Sequence, residues 1–171
     1  MDLYDLIEYR KSVRHFKSQP IEKEKLERVL NAGRLAPSGG NRQPWKFILV
    51  RDHDLKQKMV PICWKQKFVA EAPLVIVACA TQTERGVGGT LPTGVIDTAI
   101  AVTHLMLAAA YEKLGTCWVG AFEAGPLKAL LGVPDDVNVV AVLPIGYPAD
   151  DSRVAKSRKS FDQIICEERY T

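Results

Sequence analysis

The sequence predicts an α+β or α/β domain built on a central sheet. Three observations lead there: amphipathic helical spacing over the first 35 residues, short runs rich in Val, Ile and Phe suited to buried strands, and one long segment apolar nearly all round. No internal repeat, low-complexity tract or linker interrupts the 171 residues, so one domain over residues 1–171 is expected.

Leu3, Leu6 and Ile7 stand at helical spacing, and a second helix is expected over 22–35 with Leu26, Val29, Leu30 and Leu35 on one side. Between them, residues 10–16 read as too polar for a core segment, and Pro20 signals a turn. Two prolines bracket two glycines over 36–44, so a polar loop is expected there. Residues 45–50, 74–80 and 137–143 read as buried strands, and 117–119 as a shorter candidate. A helix over 97–114 would run about 27 Å and needs cover on most faces, a second subunit being one source. Gly115 reads as its stop. Further helices are expected over 126–131, closed by Gly132, and over 160–166.

Composition excludes several classes. With 47% hydrophobic and 25% charged residues the bulk of the chain is not disordered, and a net charge of +3 is too small to argue for nucleic acid. Cys63, Cys79, Cys117 and Cys166 form no Cys-x-x-Cys pair and read as buried free thiols in a reducing compartment. The acidic start, Met1 to Leu6, is not a secretory signal, and no uninterrupted apolar run reaches the ~18 residues of a membrane span. A soluble, cytoplasmic protein is expected.

Side chains for hard chemistry are few. There is no Gly-x-Ser-x-Gly elbow and no metal-ligand spacing; His15, His53 and His104 sit in unrelated contexts, His104 as a core or interface residue. Gly86-Val87-Gly88-Gly89-Thr90 follows a strand, but Leu91 stands where a dinucleotide fingerprint needs its third glycine, so a flexible loop is the simpler reading. Two basic clusters are more informative. Arg10, Lys11 and Arg14 lie some 140 residues from Lys156-Ser157-Arg158-Lys159, and each cluster includes a serine, Ser12 or Ser157. Arg with Ser suits a phosphate; two solvated faces are the alternative.

Arg10-Lys11-Ser12-Val13-Arg14-His15-Phe16 resembles the Arg-Arg-Ser-x-Arg-x-Phe opening of the flavin-dependent nitroreductase family. Ala36-Pro37-Ser38-Gly39-Gly40-Asn41-Arg42-Gln43-Pro44-Trp45 is similar to its Ala-Pro-Ser-x-x-Asn-x-Gln-Pro-Trp signature. Glu71-Ala72-Pro73, Gly115 to Gly120, Leu131-Gly132-Val133-Pro134, Pro144 to Pro148 and Lys156-Ser157-Arg158 follow in the family's order, so the likeness spans nearly the whole chain.

The resemblance implies an α+β, three-layer domain: a central mixed, mainly antiparallel sheet flanked by helices. It also implies an obligate homodimer with the long central helix at its interface and one FMN at each interface end. By that likeness Arg10, Ser12, Lys156 and Arg158 hold the ribityl phosphate with Lys11 nearby, and Arg14 points toward the pyrimidine edge. Pro37, Ser38, Gly39 and Asn41 reach the partner's flavin, and the N–H groups of Gly120 and Ala121, after Val119, face N5 and O4. The implied activity is ping-pong hydride transfer from NAD(P)H to a nitroaromatic or quinone, Arg14 and the Gly120 backbone tuning the flavin. An FMN-binding or storage protein, and other flavin chemistry such as reductive dehalogenation, are the alternatives. The chain departs from the family at Lys65 and Gln66, where a flavin-contacting asparagine is common. Trp64, Phe68, Phe122 and the glycine loop over 86–94 are candidates for lining the substrate pocket.

Overall fold

A computed structural model describes residues 1–81, 86–87, 91–150 and 155–170. The chain opens with α1 (Leu3–Tyr9), capped by Asp2, whose carboxylate accepts the Asp5 N–H at 2.9 Å. α2 (Lys23–Arg34) buries Leu26, Val29 and Gly33. Then come β1 (Trp45–Val50), α3 (His53–Ile62), α4 (Phe68–Glu71) and β2 (Leu74–Ala80). A two-stranded ladder of β3 (Gly86–Val87) and β4 (Leu91–Pro92) leads into α5 (Thr93–Tyr111), which at 19 residues is about 28 Å long. β5 (Gly115–Thr116), α6 (Ala124–Leu131) and β6 (Asn138–Gly146) complete the core.

The main sheet has the order β1-β2-β6-β5, every named pair antiparallel. A parallel bridge from Ser12 to Thr116 makes it mixed. β2 is buried at every position, as a central strand covered on both faces must be. Because side chains alternate along a strand, Val75, Val77 and Cys79 join one core with Met59, Cys63, Phe68, Val69 and Leu127 from α3, α4 and α6. Leu74, Ile76 and Ala78 join the other with Leu26, Val29, Val102, Leu105 and Ala109 from α2 and α5. The result is the expected α+β arrangement of three layers. At the α2–α5 contact, a Cβ on Gly33 would lie 2.6 Å from Leu105 Cδ2, so glycine sets how closely the helices approach.

Several boundaries differ from expectation. Residues 10–16 are not wholly peripheral: Val13 and Phe16 are buried, and the segment is stitched to β5 by the Val13 N–H to Thr116 carbonyl bond at 2.9 Å. The long helix is 93–111, not 97–114, and Gly115 does not end it. Glu112 caps it, Lys113 turns in the left-handed region at φ 63°, and Gly115 opens β5. Val119 contributes a lone bridge to Val142 where a strand over 117–119 was expected. The last helix shrinks to one 3-10 turn, Phe161–Gln163, because residues 157–170 are exposed and tertiary packing, which stabilises most helices, is missing. α3 and α4 were not anticipated. α5 has the length and mean hydropathy, 1.5, of a membrane span, but half of that window is buried inside the chain, as in a core helix.

Cys63, Cys79 and Cys117 are buried as expected, whereas Cys166 is exposed. Phe68 is 9% exposed and belongs to the core, so it does not line a pocket. Phe122 is half-buried against the same cluster, and Trp64 is exposed. Of the glycine loop, 88–90 lie outside the described residues, and Gly94 belongs to α5.

Candidate functional site

The two ends of the chain meet. Arg10 caps α1, its N–H donating to the Leu6 carbonyl at 2.9 Å. From 149 residues away, Lys156 donates its ammonium to the Ile7 carbonyl at 3.0 Å and to that of Glu8, filling the negative end of the helix. Burial there pushes the Lys156 pKa down, and repulsion from Arg10 and Arg158 lowers it further, Glu8 opposing them. Arg10 and Arg158 thus lie close enough to Lys156 to act on its charge.

Beside them, residues 12–14 run along β5. Val13 points into the core, so Ser12 and Arg14 point out. Both act on the Cys117 thiol: burial raises its pKa, while the Arg14 charge and a Ser12 hydrogen bond pull it partly back. A shallow hollow, open to solvent, lies between Arg10, Lys11, Val13, Ala110, Gly115 and Thr116.

The segment after β5 is held on both sides. Val119 exchanges backbone hydrogen bonds of 2.9 and 3.0 Å with Val142, and the Glu123 N–H donates to the Ile62 carbonyl at 3.0 Å. Gln66 donates its amide to the carbonyls of Cys63, 2.9 Å, and Ala121, 3.3 Å. Between these ties, no acceptor among the described residues takes the N–H groups of Gly120 or Ala121. Gly120 is exposed. A pair of open backbone donors is thus presented on a held loop.

The Pro37–Asn41 motif lies elsewhere. Gly40, Asn41 and Gln43 adopt positive φ of 60°, 55° and 52°. Ser38 accepts from the N–H groups of Asn41 and Gln43, at its carbonyl and hydroxyl, and the Gln43 amide donates to both oxygens of Asn41. The Gly39 N–H donates to both carboxylate oxygens of Asp97, at 3.2 and 3.3 Å. Asp97 is in the second turn of α5, and the hollow touches Ala110 near its other end. Thirteen residues of helix separate them, about 20 Å. Along α5, the sequence-derived site residues therefore divide into two groups, one at each end.

A profile of the nitroreductase family matches residues 7–83 and 62–147. The chain belongs to the nitroreductase family. This nitroreductase-family chain is 33% identical over 150 residues to an Archaeoglobus fulgidus protein described as a putative NADH dehydrogenase/NAD(P)H nitroreductase, covering 85% of each chain. A solved nitroreductase family protein from Clostridium novyi superposes with a TM-score of 0.84 at 35% identity, over 91% of this chain and 89% of the other. An oxidised iodotyrosine deiodinase solved with FMN and 3-iodo-L-tyrosine superposes with a TM-score of 0.85 at 26% identity, over 99% and 100%. General flavin oxidoreductase chemistry follows from this membership.

Two residues that the motifs did not mark hold the site: Gln66, which ties the Gly120 loop, and Asp97, which ties the Ser38 loop. Asp97 left a trace in the sequence, as the one acid within an otherwise apolar helix.

Proposed function

We propose that the chain works as a homodimer of single 1–171 domains that binds one FMN at each end of its interface. It would oxidise NAD(P)H and reduce a nitroaromatic or quinone-type acceptor. The convergence of Arg10, Lys156 and Arg158 carries this reading. A phosphate monoester brings nearly two negative charges. The charges of Arg10, Lys156 and Arg158, with the Ser12 hydroxyl and Lys11 alongside, would suit it once Arg158 exchanges its bond to the Ser157 carbonyl and Ser12 its bond to Cys117 for phosphate oxygens.

When bound, FMN supplies the hydride chemistry, accepting at N5 from NAD(P)H and delivering to the acceptor. The residues around it bind and tune. Arg14 would hold a fixed cation at the pyrimidine edge, where charge gathers on reduction. The open N–H groups of Gly120 and Ala121, beyond Val119, would donate to N5 and O4.

Pro37, Ser38, Gly39 and Asn41 would serve FMN held by the partner, because about 20 Å of α5 separates them from their own chain's phosphate cluster. A two-fold pairing of antiparallel α5 helices would bring unlike ends together. The seam for it is Ile96, Ile100, Thr103, Leu107 and Tyr111, at helical spacing and only half-buried or exposed. His104 is half-buried beside that seam. On α1, which packs on α5, Leu3 and Tyr4 are also exposed.

Likeness to the deiodinase favours one second reading: the same FMN site serving reductive dehalogenation, with electrons from another donor. Purified protein titrated with FMN, then with NADH or NADPH under anaerobic conditions, tests both. Flavin uptake and bleaching, followed by reoxidation with a nitroaromatic or quinone, is expected. A protein that binds FMN but bleaches only with dithionite and reoxidises with a halogenated phenol fits the second reading. Failure to take up FMN defeats both.

A further inference from the structure

Asp97 is 6% exposed, yet it is the one carboxylate in a predominantly apolar helix. Its partner among the described residues is a single backbone N–H, that of Gly39, shared between both oxygens at 3.2 and 3.3 Å. A buried carboxylate whose two oxygens share one long hydrogen bond is under-satisfied, so stability alone does not explain an acid here. A leucine would fill the position and bury at a gain.

The loop it holds needs holding. Gln43, which has a long side chain and not the short polar one of Asn41, also adopts left-handed backbone at φ 52°, a costly conformation that persists where surroundings over-determine it. The bonds from Ser38 and Gln43 fold the loop on itself but do not attach it to anything. Beyond the flanking α2 and β1, two hydrogen bonds among the described residues attach it: Thr81 N–H to the Pro44 carbonyl at 2.8 Å, at its far end, and Gly39 N–H to Asp97. Asp97 is thus the tie at the tip, and it joins the tip to α5.

The geometry points to Asp97 as a positioning residue that registers residues 38–41 against α5. Granted that these residues reach FMN bound across the interface, Asp97 sets their height over the partner's flavin. Asp97 neighbours Ile96 in the proposed seam, so loop and interface move as one body. The group that acts is the acceptor oxygen facing Gly39, and the charge itself is dispensable.

The test compares full-length wild type with Asp97→Ala and Asp97→Asn. In the FMN-free protein, amide hydrogen exchange over 38–43 reads the loop directly; fluorescence titration reads FMN affinity. Asp97→Ala is expected to speed exchange at Gly39 to Gln43 at least tenfold and raise the FMN Kd at least tenfold. Asp97→Asn, which keeps an acceptor, should stay within threefold of wild type in both. If the alanine variant does not fold, Asp97→Leu fills the volume without an acceptor and takes its place. Wild-type exchange in the alanine or leucine variant overturns the inference, as does an asparagine variant impaired equally. Faster exchange with unchanged FMN Kd overturns the contact of residues 38–41 with flavin. A wild type that takes up no FMN instead defeats the flavin reading, and the exchange data then judge Asp97 separately.

Discussion

Lys156 and Ile7 are 149 residues apart in sequence and 3.0 Å apart in space, ammonium to carbonyl. With a second bond to the Glu8 carbonyl, this contact ties residue 156 to the end of α1 and brings Arg10 and Arg158 near one ammonium. Neither basic cluster could surround a phosphate alone. Together they place three cations near one another, and Arg10 and Arg158 disfavour the charged form of Lys156.

Replacing Arg10 and Arg158 together by Ala is therefore expected to weaken FMN binding by about 3–6 kcal/mol, at about 1.5–3 for each charged hydrogen bond. The double variant should fold normally, because relief of repulsion favours the ligand-free chain. Equilibrium titration with FMN checks this, and undiminished affinity would remove the phosphate assignment.

Gly115 couples packing to the site. A Cβ there would lie 2.6 Å from Val13 Cγ2 and 2.7 Å from Val13 Cβ, and Val13 cannot swing aside because its N–H is bonded to Thr116. Gly115→Ala should cost about 1–3 kcal/mol of stability and displace Ser12 and Arg14, raising the FMN Kd at least threefold. Gly33→Ala would meet the Leu105 side chain at 2.6 Å, at the α2–α5 contact and not on the 12–14 segment. Its thermal midpoint should fall while FMN affinity holds, and equal loss of affinity in both variants would refute the coupling.

The alkaline limb of stability reports on Lys56. This lysine is 6% exposed and donates to the Ala72 carbonyl at 2.6 Å; burial lowers its pKa from the ordinary 10.5, with Asp52 partly opposing. Folding disfavours its proton, so the unfolded chain binds more protons between the lowered value and 10.5, and stability rises with pH across that window. Cys63 acts oppositely, since burial pushes its thiol up to about 11 and folding there retains a proton. Lys56→Met keeps Cys63 and removes only the rising term. Denaturant unfolding from pH 7 to 10 should show wild type gaining on the variant as pH rises, and parallel curves would contradict it.

The strands were legible because the apolar runs at 45–50 and 74–80 have no other use, and the family was legible because the 36–45 motif is specific. α3 escaped because Lys56, a core residue, looks polar in sequence: its stem packs while its ammonium reaches a carbonyl. Residues 10–16 looked peripheral for a related reason. Burial there falls on Val13 and Phe16 alone, and the bridges that bury them reach Thr116 and Pro148, over 100 residues away. Gly115 misled as a helix stop because close approach to Val13, not a positive φ, is what requires it.

The division of the site between the two ends of α5 makes the strongest demand, that flavin binding requires two chains. α5 turns Ala101, Val102, Leu105 and Ala109 into the core and leaves Ile100, Thr103 and Leu107 for a partner. Leu107→Asp places a charge in the middle of that seam without touching the inner face, so the folded chain should survive while association is lost. Sedimentation at micromolar concentration should show a monomer for the variant and a dimer for wild type. Its FMN Kd should rise by at least 100-fold, because Pro37 to Asn41 of the second chain are gone although Arg10, Lys156 and Arg158 remain. A monomer that binds FMN as tightly as wild type would place the whole site within one chain, against the 20 Å that α5 sets between its halves.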